Sequence, residues 1–366
     1  MKKEYANTFV INKNHLEAPA FRPVRASLMV LCICFSSFAV AASEITPHKY
    51  TDAERQNGGP KYDIPSSSRF TTKRIGADSP DIVYYFSKPS RDKFPIAILV
   101  GGSSLEDDII SIIHFHRYFL KEFLDLGVGV ITIEQQGVDG NQVNTKEFME
   151  HYTWSNRLSD HRTVIEHLKK HPPKEWNGKL IFLGVSEGGP IVTTLTTDYS
   201  SDALATINWS GAGDWSWRDE LWAFMQDMLR NMPWYVKLRA QLPSWMPYSL
   251  DLYFPKSRKD HDQAMDETIK NPSAHLKLAG MTYKYHHDAL IVYPKPEYEK
   301  IKTPYLVVAG VKDSIIDSSD AFVRRAKEVG VPVTYMRISD MDHYVRKRDD
   351  VINDSFAWLK SSLRID

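Results

Sequence analysis

The segment Gly184-Val185-Ser186-Glu187-Gly188-Gly189 contains the side chain best placed to do chemistry, the hydroxyl of Ser186. An apolar run over 179–183 precedes it and another over 190–196 follows, so the pattern predicts a strand, a sharp turn and a helix. Flanking glycines avoid the collisions that Cβ atoms would make in so crowded a turn. The turn exposes the hydroxyl, and the helix start offers free N–H groups to developing negative charge. We expect Ser186 to be a nucleophile; the alternative is a glycine-rich turn with a solvent-facing serine.

A serine hydroxyl is a weak nucleophile at neutral pH and needs an adjacent base, which a third group orients. The strand-like run 304–310 ends shortly before Asp313, within a Gly-x-x-Asp pattern. An acid just past a buried strand suits the third role, so we expect Asp313 to orient the base. Asp317 is the alternative, although Asp317-Ser318-Ser319 also has the pattern of a helix start.

The candidate base is His343, the only histidine that follows Asp313 in the chain. It lies between a third strand-like run, residues 331–338, and a terminal helical pattern over 351–359. A single loop histidine is often just a solvated surface residue. Here its order, spacing and strand context coincide, so we expect His343 to be the general base.

A reaction at a carbonyl also needs hydrogen-bond donors for the oxyanion. One is expected to be the N–H of Glu187, directly after the nucleophile. The second should come from the loop after an early strand, and the run Phe94–Val100 leads into Gly101-Gly102-Ser103-Ser104. Close approach of backbone to substrate favours glycine, so we expect Gly102 to supply this donor, with Ser103 as the alternative.

These residues together resemble the α/β-hydrolase superfamily over roughly residues 65–366. The resemblance implies a catalytic triad of Ser186, His343 and Asp313, since the order serine, acid, histidine is the one used in that superfamily. The doubled glycine Gly188-Gly189 is similar to the G-x-S-x-G-G form of dienelactone-hydrolase and oligopeptidase-like branches. Two features depart from the family pattern: the oxyanion strand ends Val-Gly-Gly rather than with His-Gly, and the fourth strand leads into the variant loop 134–141.

Strands that alternate with helices predict an α/β fold with a mainly parallel central sheet and helices on both faces. We expect the core to comprise residues 66–209 and 302–366. Between them, residues 210–301 break the alternation, and the resemblance implies a helical lid inserted after the sixth strand. This insertion holds five of the nine tryptophans. We expect its Trp and Met side chains to line an apolar acyl pocket; the alternative is that they only pack the lid. On that expectation, replacing any of four tryptophans with Ala changes the dependence on acyl length: Trp215, Trp217, Trp222 and Trp234.

The N-terminal region predicts export from the cytoplasm. An uncharged apolar run over 26–41 follows Arg22 and Arg25 and ends in Ala-Val-Ala. This is typical of a signal peptide, so we expect residues 1–41 to be removed after Ala41, 42–65 to be a linker, and the protein to be periplasmic or secreted. The alternative is an uncleaved anchor, although the run is shorter than the ~20 residues that span a bilayer.

Composition restricts the partners. Without residues 1–41 the chain has 41 basic and 44 acidic residues, so no basic surplus favours nucleic acid or an anionic membrane. Both cysteines, Cys32 and Cys34, lie in the predicted signal peptide. The sequence contains no zinc-protease, phosphate-loop or dinucleotide motif, so we expect neither a metal nor an organic cofactor. The oligomeric state is not predicted.

The expected function is that of a secreted serine hydrolase that cleaves a small-molecule acyl ester or thioester through an acyl-enzyme. A peptidase or acyl-aminopeptidase of the same fold is the first alternative. Oligopeptidase-type members normally carry a large N-terminal domain, which weakens that interpretation. A binding protein on an inactive hydrolase fold is a further alternative, although binding alone does not require serine, acid and histidine together.

Overall fold

The computed structural model describes residues 68–76, 79–240, 253, 255–292, 295–345 and 348–364. The predicted signal peptide, the predicted linker and Trp245 lie outside these residues. Among the described residues, no helix has the length and apolar character needed to cross a membrane.

Eight strands form one central sheet in the order β1-β2-β4-β3-β7-β8-β11-β12. The first two strands pair antiparallel, and β2 also lies antiparallel to β4. All pairs from β4 to β12 are parallel. The bounds of the sheet strands are β1 Arg69–Thr72, β2 Ile82–Ser87, β3 Phe94–Val100, β4 Gly129–Ile133, β7 Trp176–Val185, β8 Ala203–Trp209, β11 Tyr305–Gly310 and β12 Val333–Ile338.

Successive side chains of the central strands are buried on opposite faces of the sheet. In β3, Ile96 and Ile98 belong to one apolar cluster, whereas Ala97 and Leu99 belong to another on the opposite face. This alternation follows from the two-residue repeat of a strand. A strand covered on both faces is apolar at most positions, which explains the near-continuous hydrophobic runs.

Helices cover both faces of the sheet. Helices α1 and α10 pack on one face, and α3, α4 and α9 pack on the other. The bounds of the helices are α1 Ile113–Asp125, α2 Thr145–His151, α3 Trp154–Lys170, α4 Gly188–Asp198, α5 Trp217–Asn231, α6 Trp234–Ala240, α7 Arg258–Lys270, α8 Tyr283–Val292, α9 Ile316–Glu328 and α10 Asp349–Leu363.

Side chains at several helix starts satisfy otherwise unpaired backbone N–H groups. Thr153 accepts from the N–H of Asn156 at the start of α3. Ser216 and Ser257 do the same at α5 and α7. These caps mark the helix starts locally, before any long-range packing is considered.

The segment between β8 and β11, residues 210–304, is here called the inserted segment. Its described part holds α5–α8 and the short hairpin of β9 (Lys277–Leu278) and β10 (Met281–Thr282). A second small hairpin, β5 (Val138–Asp139) with β6 (Gln142–Val143), begins in the variant loop after β4 and ends just beyond it. The mainly parallel sheet with helices on both faces confirms the predicted fold class.

A buried carboxyl group holds the variant loop against the core. Glu134, 2 % exposed, follows β4 and accepts hydrogen bonds from the backbone N–H groups of Ile112 and Gly140. It also accepts from the hydroxyls of Ser111 and Tyr85. Burial raises the pKa of Glu134 to about 7, which outweighs the opposite effect of these four donors. The acidic position of the variant loop therefore has a structural partner at each oxygen.

Candidate active site

Ser186 lies on the sharp turn between β7 and α4. Its backbone is left-handed, with φ of 52°, a conformation that non-glycine residues rarely adopt. The N–H of Ser186 donates to the carbonyl of Trp209 over 2.9 Å, which ties the turn to the end of β8. The carbonyl of Ser186 accepts from the N–H of Gly189 at 2.8 Å and begins the helical turn.

The flanking glycines are required by space. A Cβ at Gly184 would lie 2.4 Å from the carbonyl oxygen of Gly188. A Cβ at Gly188 would lie 2.3 Å from the carbonyl oxygen of Val100, the last residue of β3. The turn therefore packs backbone on backbone, as the sequence pattern predicts.

His343 links Ser186 to Asp313. Its Nε2 lies 2.9 Å from Oγ of Ser186, and its Nδ1 lies 2.7 Å from Oδ2 of Asp313. The Asp313 side chain is only 1 % exposed, and its Oδ1 accepts from the N–H of Ile315. Asp317, the alternative acid, instead lies in the first turn of α9. The structure thus brings together Ser186, His343 and Asp313. Along the chain, Asp313 and His343 each lie at least 127 residues after Ser186.

Parallel topology explains this convergence. Ser186 follows β7, Asp313 follows β11 and His343 follows β12, so all three lie at the carboxyl edge of the sheet. Backbone contacts join the last two loops, because the N–H of Lys312 donates to the carbonyl of Met341 at 3.0 Å. The acid and the histidine therefore lie on two loops that are hydrogen-bonded to each other.

The charge environment favours protonated His343. Burial alone would lower its pKa, but the Asp313 carboxylate and its hydrogen bond, with the charges of Asp342 and Glu220, raise the pKa above its ordinary value. A raised pKa makes the imidazole a stronger proton acceptor. It also means that the neutral form, which a general base requires, is lost at a higher pH than for a free histidine.

The expected oxyanion donors lie beside the hydroxyl. Glu187 directly precedes α4, and Gly102 is close enough to the turn that its Cβ would lie 3.4 Å from Cβ of Ser186. Ser103, the alternative second donor, lines the same cavity as Gly102. Both candidates for the second donor are thus near Ser186, and the choice of Gly102 stays a prediction.

A largely apolar cavity of about 150 Å³ opens onto Ser186 and His343. Aromatic side chains from α1, from the start of α3 and from the end of β8 form the wall of the cavity that belongs to the central sheet and its helices. The inserted segment contributes residues from α5 to the other side. The main apolar lining residues are Phe115, Tyr118, Phe119, Trp154, Val185, Trp209, Trp217, Leu221, Phe224, Ile315 and Val345.

Among the described Trp and Met side chains of the insertion, all of which were expected to line the pocket, only that of Trp217 lines the cavity. Among the described residues, those that line the cavity include neither Trp215, Trp222 nor Trp234. The Trp222 ring instead packs on His261, with centroids 5.4 Å apart. Trp234 is 75 % exposed. The expectation failed because one face of a helix such as α5 can meet the cavity while its neighbours pack elsewhere.

Trp154, Trp209 and Glu220 are among the cavity residues that the sequence analysis did not identify. Trp209 is the last residue of β8, at the carboxyl edge of the sheet. Its place at the end of a strand-like run could therefore have indicated that it lies near the site. Trp154 follows the helix cap Thr153, but nothing in the local pattern indicates that it faces the site. Glu220 projects from α5 and accepts from Oγ of Ser318 at 2.9 Å, a contact between segments 98 residues apart.

Other buried histidines are structural. His116 contacts the hydroxyls of Ser87 and Thr132 at 2.9 Å each, and burial lowers its pKa to about 3. Burial likewise lowers the pKa of His286 to about 4. In the part of the chain that the structure describes, no group of three or more His, Cys, Asp or Glu residues is arranged to hold a metal ion.

The profile of the family described as serine aminopeptidase, S33 (Hydrolase_4) matches residues 112–343. The chain belongs to this family. It is therefore a serine hydrolase of the α/β-hydrolase superfamily, and the matched range contains Ser186, Asp313 and His343.

Solved structures show the same fold at low sequence identity. Est1E from Butyrivibrio proteoclasticus superposes with a TM-score of 0.52 at 14% identity, covering 81% of this chain and 99% of its own. A highly thermostable carboxyl esterase from Bacillus coagulans gives a TM-score of 0.51 at 14% identity, with 81% and 97% covered. No curated protein sequence matches this S33-family chain significantly. At such identities the likeness concerns the fold.

Proposed function

We propose that this S33-family hydrolase cleaves a carboxylic ester or thioester with an apolar acyl group, through an acyl-enzyme on Ser186. The observation that carries the proposal is the unbroken chain of contacts from Asp313 through His343 to Ser186 at an apolar cavity. Acyl transfer to serine requires a nucleophile and a base in contact, and an apolar acyl group requires an apolar binding surface beside them.

In acylation, Oγ of Ser186 attacks the ester carbonyl carbon while Nε2 of His343 takes the hydroxyl proton. The carbonyl π electrons move onto oxygen, and the N–H groups of Glu187 and Gly102 stabilise the oxyanion. When the tetrahedral intermediate collapses, the bond to the leaving group breaks and His343 gives its proton to the leaving alcohol or thiol. The acyl group remains bound to Ser186.

In deacylation, a water molecule takes the place of the alcohol. Nε2 of His343 removes one of its protons as the water oxygen attacks the acyl carbon. Collapse of the second intermediate breaks the bond to Oγ, which recovers the proton from His343, and the carboxylic acid is released. The buried Asp313 holds Nδ1 in its protonated tautomer through both steps and stabilises the imidazolium.

A second candidate is hydrolysis of an aminoacyl amide, which Glu220 favours. Its carboxylate lines the same cavity as Ser186 and is fixed by the hydroxyl of Ser318. A carboxylate there would pair with the α-ammonium group of an aminoacyl substrate. On this candidate function, Glu220→Gln raises KM for aminoacyl anilides but leaves KM for simple acyl esters unchanged.

The location of the enzyme remains the proposal drawn from its sequence. We propose that residues 1–41 are cleaved and that the mature enzyme is periplasmic or secreted, supported by the Arg-flanked apolar run ending in Ala-Val-Ala. N-terminal sequencing of protein recovered from its host tests this. A start near Ala42 is expected, and an intact Met1 on a cytosolic protein would refute it.

The reaction is tested by steady-state kinetics on 4-nitrophenyl esters and aminoacyl 4-nitroanilides. Wild-type protein should hydrolyse the esters with the higher kcat/KM. Ser186→Ala and His343→Ala should each lower kcat by several orders of magnitude, and the double variant by little more, because the two side chains act as a unit. Preference for the anilides would favour the aminopeptidase, and full ester turnover by Ser186→Ala would refute the mechanism.

A further inference from the structure

Behind the turn that carries Ser186, a buried cluster joins the two sides of the expected oxyanion hole. It consists of Glu187, Arg157 and Tyr152, which are 7 %, 5 % and 4 % exposed. Glu187 contributes the side chain here, while its own N–H is the expected first oxyanion donor. The cluster lies outside the contacts that link Ser186, His343 and Asp313.

Both oxygens of the Glu187 carboxylate are engaged. Its Oε1 accepts from Nη1 of Arg157 at 2.6 Å, and its Oε2 accepts from the hydroxyl of Tyr152 at 2.7 Å. Burial, followed by the nearby charge of Glu187, raises the pKa of Tyr152 well above its usual range, so this hydroxyl keeps its proton and donates.

The same two partners also reach the loop after β3. Nη2 of Arg157 donates to the carbonyl of Gly101 at 2.7 Å. The hydroxyl of Tyr152 accepts from the N–H of Ser104 at 3.1 Å. These two anchor points, at residues 101 and 104, bracket the candidate second donors at 102 and 103.

We infer that Glu187, Arg157 and Tyr152 are positioning residues, which set the separation of the two oxyanion donors by clamping the loop after β3 to the turn after β7. The inference rests on the proposed function, because it assigns the cluster a role in the same reaction. None of the three side chains is assigned a contact with the substrate.

The chemistry of the cluster suits positioning. A guanidinium presents several donors in a rigid planar fork, so Arg157 can hold a carboxylate and a carbonyl at once in a fixed geometry. Hydrogen bonds between charged groups at buried sites are short and directional. An oxyanion hole is effective only when its donors already lie near the developing charge, and a shift of about 1 Å can cost about 100-fold in rate.

Two conservative variants separate positioning from folding. Tyr152→Phe removes the hydroxyl that joins Glu187 to Ser104 but leaves the ring and every charge. Arg157→Lys keeps the charge but replaces the fork with a single ammonium group that cannot bridge Glu187 and Gly101 with the same geometry. The expected losses in kcat are about tenfold for Tyr152→Phe and about 100-fold for Arg157→Lys, with KM nearly unchanged.

The deciding readout is the affinity for a hexyl trifluoromethyl ketone. Ser186 adds to this ketone to form a tetrahedral oxyanion, so its inhibition constant reports the oxyanion hole rather than ground-state binding. In each variant the affinity for the ketone should fall by the same factor as kcat/KM for 4-nitrophenyl butyrate. A structural role alone would lower Tm without this parallel loss.

Two matched controls break comparable contacts away from the oxyanion loop. Asp160 lies on the same helix as Arg157, and its carboxylate accepts two hydrogen bonds from Arg74, at 2.8 and 2.9 Å. Asp160→Asn weakens this buried ion pair. Tyr335→Phe removes a hydroxyl that donates to Asp320 at 2.7 Å. Both controls should lower Tm and keep the kcat of the wild type.

The inference is overturned if Tyr152→Phe, folded by circular dichroism, keeps kcat and ketone affinity within about twofold of wild type. It is also overturned if kcat falls while ketone affinity stays unchanged. If Arg157→Lys does not fold, Tyr152→Phe alone decides. Failure of the proposed function is a separate result, because it would show as ester turnover by Ser186→Ala.

Discussion

The size and lining of the cavity predict how the enzyme responds to the length of the acyl chain. Each methylene moved from water to an apolar wall contributes about 0.8 kcal/mol, which is about fourfold in kcat/KM. An apolar cavity of about 150 Å³ can hold a molecule of benzene, or about six carbon atoms. The cavity beside Ser186 has the same volume, about 150 Å³. We therefore expect kcat/KM to rise by about 200-fold from acetyl to hexanoyl and then to level off.

The assay is hydrolysis of 4-nitrophenyl acetate, butyrate, hexanoate, octanoate and decanoate below KM. Phe224→Ala enlarges the cavity from the side of α5 and should move the plateau to longer chains. Trp222→Ala is the matched control, because it lies on the same helix but packs on His261. A profile independent of acyl length, or one that Phe224→Ala does not change, would refute the apolar acyl site.

Three further predictions concern pH and packing. The acid limb of kcat/KM should have its midpoint above the ordinary histidine pKa. Glu220→Gln should move this midpoint to lower pH, because the Glu220 carboxylate helps to raise the pKa of His343. An unmoved or raised midpoint would contradict the assignment of His343 as the base. Gly188→Ala should abolish most activity and destabilise the fold by about 1–3 kcal/mol, because the new Cβ meets the backbone of β3. Gly178→Ala is the control, since its Cβ meets nothing within 4 Å. Activity should persist in this control despite a strained φ of 80°. Burial raises the pKa of Glu134 from 4.5 to about 7. The contribution of Glu134 to stability is therefore complete below about pH 4.5 and is lost as pH rises through about 7. Tm measured against pH should show this loss in wild type but not in Glu134→Gln.

The sheet and the site at its edge were predictable because their signals are local. The apolar run Phe94–Val100 has the same bounds as β3, and the helical pattern over 351–359 lies within α10. The turn at Ser186 was visible because its glycines form a local pattern between two apolar runs. His343 and Asp313 could be proposed because parallel strands bring the residues after them to one edge.

The cavity and the positioning cluster were not predictable, because they depend on contacts between distant segments. Trp222 and Trp217 are five residues apart on α5, yet only Trp217 faces the cavity. Helical periodicity does not show which face a helix of the inserted segment turns toward the core when its partners are unknown. The contact between Arg157 and Glu187 likewise joins α3 to the turn after β7, and no local pattern indicates it.

The central claim is that Ser186 forms a covalent bond to substrate with the help of His343. Reaction with a fluorophosphonate tests it most directly, because Oγ attacks phosphorus, fluoride leaves and the adduct is stable to mass spectrometry. The wild type should gain one adduct per chain, mapped by peptide sequencing to Ser186. Ser186→Ala should gain none, and His343→Ala should react at least 100-fold more slowly, on the order expected for loss of a general base. An adduct on another residue, or equally fast labelling without His343, would contradict the account.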